Sequence, residues 1–553
     1  MTGSLPAVSM PGGPRPIDVP VKPLADVAER VGAHVPDNAG DAAVGGVSLS
    51  SGAVRPRDLY AALPGSRVHG ASFVAEAVER GAAAVLTDPA GAQLASGCGL
   101  PLLVVPRPRS SLGRLAAWIY GSPADRITTL GVTGTNGKTT TTFLLDSALR
   151  ATGRRTGLVG TVEIRSGERR VHSTGTTPEA PDLHALLAVM GQDGVDTCSL
   201  EISSHALDQH RVDGLVLDVA GFSNLSQDHL DYHHTMEEYF QVKARMFSPE
   251  QARRAVICID DEWGRRLAGS VQIPVTTVAT RPHAGADWQT ERVRTVRGLP
   301  VAQISGPRGE LLELACPLPG EYNLANALLA LGMLVGTGLG AQTAADALAL
   351  AGPVPGRMER VVGADLPQEP FAVVDYAHSP DAVSAALRTL SAGPRPLVVV
   401  LGAGGDRDRD KRELMGRAAA ETADVVVVTD DNPRSEDPAA IRAAVLAGAR
   451  DQARTSGARV LEVPGRAEAI AEGLLRARCG TLLVAGRGHE QGQEIAGVRH
   501  PFDDREVLRD LMLGAVPGPA PLPATSAPTS VTPTSVTPAS VTPARSFPEE
   551  TAP

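Results

Sequence analysis

The sequence predicts an α/β protein built from three domains. Three observations carry that expectation: short apolar runs alternate with helical spacing along most of the chain, one glycine-punctuated loop joins a strand to a helix, and two breaks in composition divide the whole. A length of 553 residues is enough for three or four domains, each with its own core. The net charge is −10 and no basic block occurs, which argues against a nucleic-acid surface. Aromatic residues make up only 3% of the chain, and nowhere do eighteen apolar residues run together, so a membrane span is not expected. Cys98, Cys198, Cys258, Cys316 and Cys479 are scattered, with neither a metal spacing nor a disulfide framework. That pattern fits a reducing cytoplasm.

Residues 1–23 are proline-rich, lack a signal-peptide core and are expected to be disordered. Residues 24–120 read as a small α/β domain, with strands at 58–63, 83–88 and 100–105 and helices at 72–81 and 111–121. Gly121-Ser122-Pro123 marks a boundary. The central domain, 121–352, has candidate strands at 156–160, 195–202, 217–222, 254–259 and 274–279, and helices at 323–335 and 341–352 close it. The linker Gly352-Pro353-Val354-Pro355-Gly356 leads into the last domain, 353–513. There strands at 371–376, 396–402, 423–430, 459–464 and 481–486 alternate with helices such as 379–390 and 466–477, the pattern of a mostly parallel sheet covered on both faces. Residues 514–553 repeat Ser-Val-Thr-Pro from Ser530, Ser535 and Ser540; such a tract cannot bury a core and is expected to be disordered.

The loop at the head of the central domain is the strongest chemical signal. Ile127–Val132 reads as a buried strand, and Leu145, Ala148 and Leu149 give helical spacing beyond the loop Gly134-Thr135-Asn136-Gly137-Lys138-Thr139-Thr140. Backbone N–H groups converge at such a helix start, and the helix dipole adds positive charge, so a polyphosphate can be held there. Lys138 would pair the outer phosphates and the Thr139 hydroxyl would sit on Mg²⁺. The spelling differs from the common phosphate loop, since Val132 stands where that pattern wants glycine. In open parallel sheets, ligands gather beyond the carboxyl ends of the strands. Glu201 ends one such strand and is placed to hold Mg²⁺ through oxygen. His229 follows another and could be a second ligand, although a single histidine is more often a structural hydrogen-bonder. Lys243, on a helix fourteen residues later, reads by itself as a solvated charge or an anion contact.

Taken in order, GVTGTNGKTT, LEISSHAL, QDHLDYH, YFQVKARMF, GEYNLANALLAL, PGRMERV, DYAHSPDA, GGDRDRDKR, DDNPR and GRGHE resemble the Mur ligase family over about Leu24 to Leu513. The resemblance implies a central P-loop ATPase-type parallel sheet, a Rossmann-like C-terminal domain and a small uridine-binding N-terminal domain. It is nearest to the branch that adds the third amino acid to the UDP-MurNAc-dipeptide of peptidoglycan. The implied enzyme is a cytoplasmic, monomeric, Mg²⁺- and ATP-dependent amide ligase with small-molecule substrates only. Lys243 would then be carbamylated, a carboxylate-like partner of Mg²⁺ beside Thr139, Glu201 and His229, with Lys138 as the phosphate cation. Asn323, Asn326, Arg357 and Asp375 would complete the ATP site. Leu49, Ser51, Ser66, Arg67 and Val68 in the first domain, with Thr176, Thr177, Ser203, Gln209 and Arg211 in the second, would hold the nucleotide-sugar dipeptide.

The amino acid added should be decided in the third domain. Arg407 and the run Asp431-Asn432-Pro433-Arg434 follow strands there. A guanidinium binds a planar carboxylate through two parallel hydrogen bonds and repels the side-chain ammonium of lysine. Diaminopimelate carries a distal carboxylate, so Arg407 and Arg434 fit it, with Glu490 and the Gly486 backbone on its amino end. A lysine-adding ligase, a folylpolyglutamate synthetase and a nucleotide-binding regulator without turnover are the competing readings.

Overall fold

The computed structural model describes residues 13–65, 67–171, 175–296, 298–363 and 369–514. Ser66 and the repeat-bearing tail lie outside the described residues. Part of the N-terminal expectation is corrected. Residues 13–23 lie on the first domain: Lys22–Pro23 pairs antiparallel with Ala43–Val44, and Arg15 meets the Tyr120 hydroxyl and stands 4.0 Å from Asp58. Composition reads this stretch as disordered, yet one arginine answering the buried carboxylate of Asp58 anchors it.

The first domain carries a parallel sheet in the order Gly46–Ser48, Asp58–Ala62, Ala84–Thr87 and Leu102–Val104. The expected helix at 72–81 divides into a 3-10 turn, Gly70–Phe73, and a helix, Val74–Glu79. The helix Pro108–Ile119 buries Leu112, Leu115, Ala116 and Ile119 in this domain's core and packs against the helix Ala180–Gln192 of the next.

The central sheet has eleven strands. Thr128–Thr133 lies at its heart, with Thr197–Glu201 on one side and Val219–Phe222 on the other, all parallel. Consecutive strands depart from it in opposite directions, so a crevice opens beyond their carboxyl ends. The inner strands are buried on both faces and therefore read as unbroken apolar runs. Both margins were unforeseen. Ile164–Ser166 and Arg169–Val171 add an antiparallel edge, and Trp288–Val296, Leu299–Ser305 and Leu311–Ala315 form an antiparallel arm where only closing helices were expected.

The C-terminal sheet has six strands, parallel except for its edge strand Glu359–Val361. The order places Phe371–Asp375, Thr481–Ala485, Leu397–Leu401 and Val425–Val428 side by side, so the residues just beyond them gather at one end. A hairpin, Gly492–Ile495 with Val498–Pro501, follows and leads into the helix Asp504–Met512. Among the described residues no helix is long and apolar enough to cross a membrane.

Candidate active site

A cavity of about 1040 Å³ joins the carboxyl ends of the central and C-terminal sheets, and most of the residues anticipated from sequence line it. Its floor is the phosphate loop. The helix Lys138–Ala151 begins at Gly137 with no side-chain cap, so its first N–H groups stay directed at the cavity mouth. Gly137 has φ +89°, and a Cβ there would come within 2.2 Å of Asn326 Oδ1. Glycine is needed on both counts. Asn323 accepts from Asn326 Nδ2 at 3.2 Å, and both belong to the helix Glu321–Gly336. Lys138 folds back on the carbonyls of Gly134 and Thr135, 2.9 Å each. Burial lowers its pKa, opposed by Glu201 and Asp228.

Glu201 is 1% exposed and accepts from Thr139 Oγ1 at 2.9 Å, from Thr161 N at 2.9 Å and from Thr161 Oγ1 at 3.1 Å. All these donors are neutral, and among the described residues no ion pair reaches Glu201. A buried carboxylate served only by neutral donors is a fit seat for a cation. The Lys243 Nζ is also buried, 2.9 Å from the Gly134 carbonyl and 4.6 Å from the Tyr239 ring centroid. Burial, reinforced by Lys138, drives its pKa well below the usual lysine value. His229 sits at φ +55°, its ring 6.4 Å from Tyr239 and 5.0 Å from His205. Burial holds it neutral against the pull of Asp228, 3.6 Å away.

The expected metal set is therefore only partly drawn together. Among the described residues no three His, Cys, Asp or Glu side chains converge tightly enough to hold a metal by themselves. Thr139 and Glu201 are hydrogen-bonded, whereas His229 and Lys243 flank Tyr239.

The third domain reaches the loop through Arg357, whose NH2 donates to Thr139 Oγ1 at 2.9 Å while its guanidinium stacks 4.2 Å over Tyr376. Asp375 accepts from the N–H groups of Met358 and Ala377, which fixes the turn that carries Arg357. Burial raises the Asp375 pKa, and Arg357 opposes it. At the far end Arg407 and Arg434 face the cavity. A Cβ on Gly404 would lie 3.0 Å from Arg434 NH1 and 3.8 Å from Arg407 Cγ, so the two arginines flank one glycine. Glu490 accepts from Asn432 Nδ2 at 2.8 Å, and burial, then Asp431, raises its pKa. The Gly486 N–H is spent on the Asp375 carbonyl at 3.1 Å.

Thr176 and Thr177 line the cavity beside Glu201. Thr176 accepts from Thr161 at 3.0 Å, and Thr177 donates to the Glu201 carbonyl at 2.9 Å. Ser203 caps the helix Ser204–Asp208, and Arg211 donates to the Thr177 carbonyl and to Gln209 Oε1. Gln209 and Pro433 support the wall without lining it. Leu49, Ser51, Arg67 and Val68 are not on this cavity; Ser51 donates to Glu76 at 2.6 Å within the first domain.

Sequence reasoning missed Thr161, His205, Asp228, His378 and Lys411. Asp228 lies within 3.9 Å of His378 and 3.7 Å of Lys411, a contact from the central domain to the third. His205, Asp228, His378 and Lys411 stand inside the motifs quoted above, and Thr161 directly follows a predicted strand, so position after a strand was the available signal.

Comparison with known proteins agrees with this geometry. Three family models match: the Mur ligase family catalytic domain over residues 43–120, the Mur ligase middle domain over 132–334, and the Mur ligase glutamate ligase domain over 356–488. The UDP-N-acetylmuramoyl-L-alanyl-D-glutamate–2,6-diaminopimelate ligase of Streptomyces coelicolor is 50% identical over 505 residues, covering 91% of this chain and 99% of that one. The UDP-N-acetylmuramyl-tripeptide synthetase of Leifsonia xyli is 45% identical over 517 residues, covering 92% and 98%. A solved structure of a UDP-N-acetylmuramoyl-L-alanyl-D-glutamate–2,6-diaminopimelate ligase has a TM-score of 0.59 at 32% identity, covering 86% of this chain and 95% of that one. MurF of Thermotoga maritima in complex with ADP shares the fold, with a TM-score of 0.60 at 18% identity over 85% of this chain and 97% of that one. With its domains, its phosphate loop and its relatives in agreement, the chain belongs to the Mur ligase family.

Proposed function

We propose that this chain is an ATP-dependent ligase that adds 2,6-diaminopimelate to UDP-N-acetylmuramoyl-L-alanyl-D-glutamate, in the cytoplasmic synthesis of peptidoglycan precursors. The observation that carries the reading is that one cavity holds a phosphate loop at one end and a pair of arginines at the other, with Arg357 crossing between domains. The terminal carboxylate of the dipeptide attacks the γ-phosphorus of ATP, and the bond to ADP breaks. The amine then attacks the resulting acyl phosphate, loses its proton, and phosphate leaves as the amide forms.

Phosphoryl transfer is chiefly positioning and neutralisation of charge. Lys138 and the N–H groups of the loop take the phosphates, and Arg357 brings a second cation against Thr139. Thr176, Thr177, Ser203 and Arg211 hold the peptide end of the acceptor. The first-domain positions Leu49, Ser51, Ser66, Arg67 and Val68 are proposed for the uridine diphosphate. Arg407 and Arg434 grip the distal carboxylate of diaminopimelate, while Glu490 and the Gly486 carbonyl accept from its amino end.

Mg²⁺ would be held by Thr139, Glu201, His229 and a carbamylated Lys243, and when bound it offsets phosphate charge. Lys243 suits carbamylation because a neutral amine is the form that attacks CO₂: the N–C bond forms, a proton departs, and a buried would-be cation becomes an anion.

The test is phosphate release from ATP in the presence of UDP-N-acetylmuramoyl-L-alanyl-D-glutamate and either diaminopimelate or lysine. Diaminopimelate should support turnover and lysine should not; equal turnover with lysine overturns the assignment of the arginine pair.

A further inference from the structure

The diaminopimelate reading leaves open what holds Arg434 in place. Arg434 adopts φ +53°, a left-handed conformation that surrounding contacts must enforce on a residue other than glycine. Its own helix does not enforce it, since Pro438–Ser456 begins four residues later. The hairpin Gly492–Pro501 does. Arg434 N donates to the Glu494 carbonyl at 3.0 Å, and Ala496 N donates to the Arg434 carbonyl at 2.7 Å, so Arg434 is bridged to Ile495 as if the segment were a strand. One residue earlier in the hairpin, Gln493 Nε2 donates to the Asp431 carbonyl at 2.6 Å, with the side chain 92% buried. Glu494 N donates to Asn432 Oδ1 at 2.9 Å. The hairpin is anchored in turn by Arg487, fully buried, which donates through NH2 to the Gly492 carbonyl at 2.8 Å.

We propose that this hairpin is a specificity clip for the distal carboxylate of the amino-acid substrate, with Gln493 as a positioning residue that acts through Asp431 and Arg434. The inference rests on the diaminopimelate reading of the cavity. Gln493 does not line the cavity. Its side chain ties the hairpin to the first residue of the Asp431–Arg434 turn, and the backbone of Glu494 and Ala496 ties the last. If that donor is lost, the Asp431 carbonyl keeps only a 3.5 Å contact from Arg487 NH1, the turn hangs from Asn432 and its arginine end, and the guanidinium shifts within the site it shares with Arg407. Glu490 and Gly486, on the amino end, follow a different strand, Thr481–Ala485, and Asn432, which donates to Glu490, keeps its own bond from Glu494 N, so this part of the pocket holds its place. The effect should therefore be confined to substrates that carry a second carboxylate.

The experiment uses the full chain and Gln493→Met, which preserves length and loses the donor, with Gln493→Glu as a second variant of equal size. Both are compared with wild type for diaminopimelate and for lysine, alone and in an Arg434→Ala background. The KM for diaminopimelate should rise about tenfold in Gln493→Met while kcat, the KM for ATP and the melting temperature hold. The residual rate with lysine should be unchanged, so selectivity falls by the same tenfold. In the Arg434→Ala background the Gln493→Met change should add less than a factor of two, because the group it positions is gone. Equal losses with both amines, or a tenfold effect that persists without Arg434, overturn the clip. A wild-type enzyme that prefers lysine overturns the diaminopimelate reading instead, and is seen before any variant is made.

Discussion

Lys243 shows how far a single side chain can be read. From sequence it is a charged residue on a helix, and the ordinary expectation is exposure to solvent. In the fold it is 1% exposed, against the Gly134 carbonyl and the Tyr239 ring, and the charge of Lys138 adds to burial in lowering its pKa. Two lysines in one dry site cannot both hold a proton cheaply. A carbamate removes that conflict by making one of them an anion. Lys243→Ala should accordingly lose at least a hundredfold in kcat, and formate or acetate in the buffer should restore part of it by occupying the vacated volume; full activity in the bare variant would refute the modification. Arg434 was legible for the opposite reason. Its position just past the carboxyl end of a strand puts it on the cavity wall, whereas the burial of Lys243 depends on which residues the fold brings around it.

At the scale of single elements, the strands and helices of the parallel cores were legible because burial on both faces writes an unbroken apolar run. The arm at 288–315 was not. Its middle strand, Leu299–Ser305, has only a short apolar core broken by the exposed Gln303, and the strand Trp288–Val296 carries exposed Arg292 and Arg294, so its signal is diluted by polar and charged residues. The phosphate loop was legible as a strand-to-helix turn, and its constraint is local. Gly137→Ala would force a side chain into a left-handed turn and against Asn326, at a cost of about 1–3 kcal/mol. The expected result is at least a tenfold weaker affinity for ATP, measured by nucleotide titration; unchanged affinity would show that the loop relaxes without loss. A second element-level prediction concerns His184 on the helix Ala180–Gln192. It is fully buried at the junction of the first two domains, its Nε2 3.0 Å from the Asp213 carbonyl, and burial lowers its pKa to about 4. A histidine whose folded pKa lies below its unfolded value of about 6.5 stabilises the fold fully above that value, and the contribution is lost as pH falls from there toward 4. Between pH 7 and pH 4 this amounts to roughly 3 kcal/mol. Denaturant unfolding at the two pH values should show the difference shrink by about that amount in His184→Gln.

For the molecule as a whole, the arrangement that matters is that no one domain owns the site. The phosphate loop and Glu201 belong to the central sheet, Arg357 and the arginine pair to the third domain, and Asp228 of the former lies beside His378 and Lys411 of the latter. The central and C-terminal sheets present their carboxyl ends to the same cavity, so placing the two substrates in line depends on how those two domains sit together. Arg357 is the most direct of these crossings. Its NH2 donates to the hydroxyl that Glu201 also engages, and its flat face rests on Tyr376 of its own domain. Arg357→Met would keep an apolar stem on the ring while removing the donor and the charge. A charged hydrogen bond of this kind contributes about 1.5–3 kcal/mol, so kcat should fall roughly ten- to hundredfold. Because the contact joins domains and is not part of either core, the melting temperature should stay within about two degrees of wild type. Steady-state kinetics and calorimetry on the same preparation separate the two effects. A parallel loss of stability would make Arg357 a structural tie, and an unchanged kcat would mean that the domains close on their substrates without it.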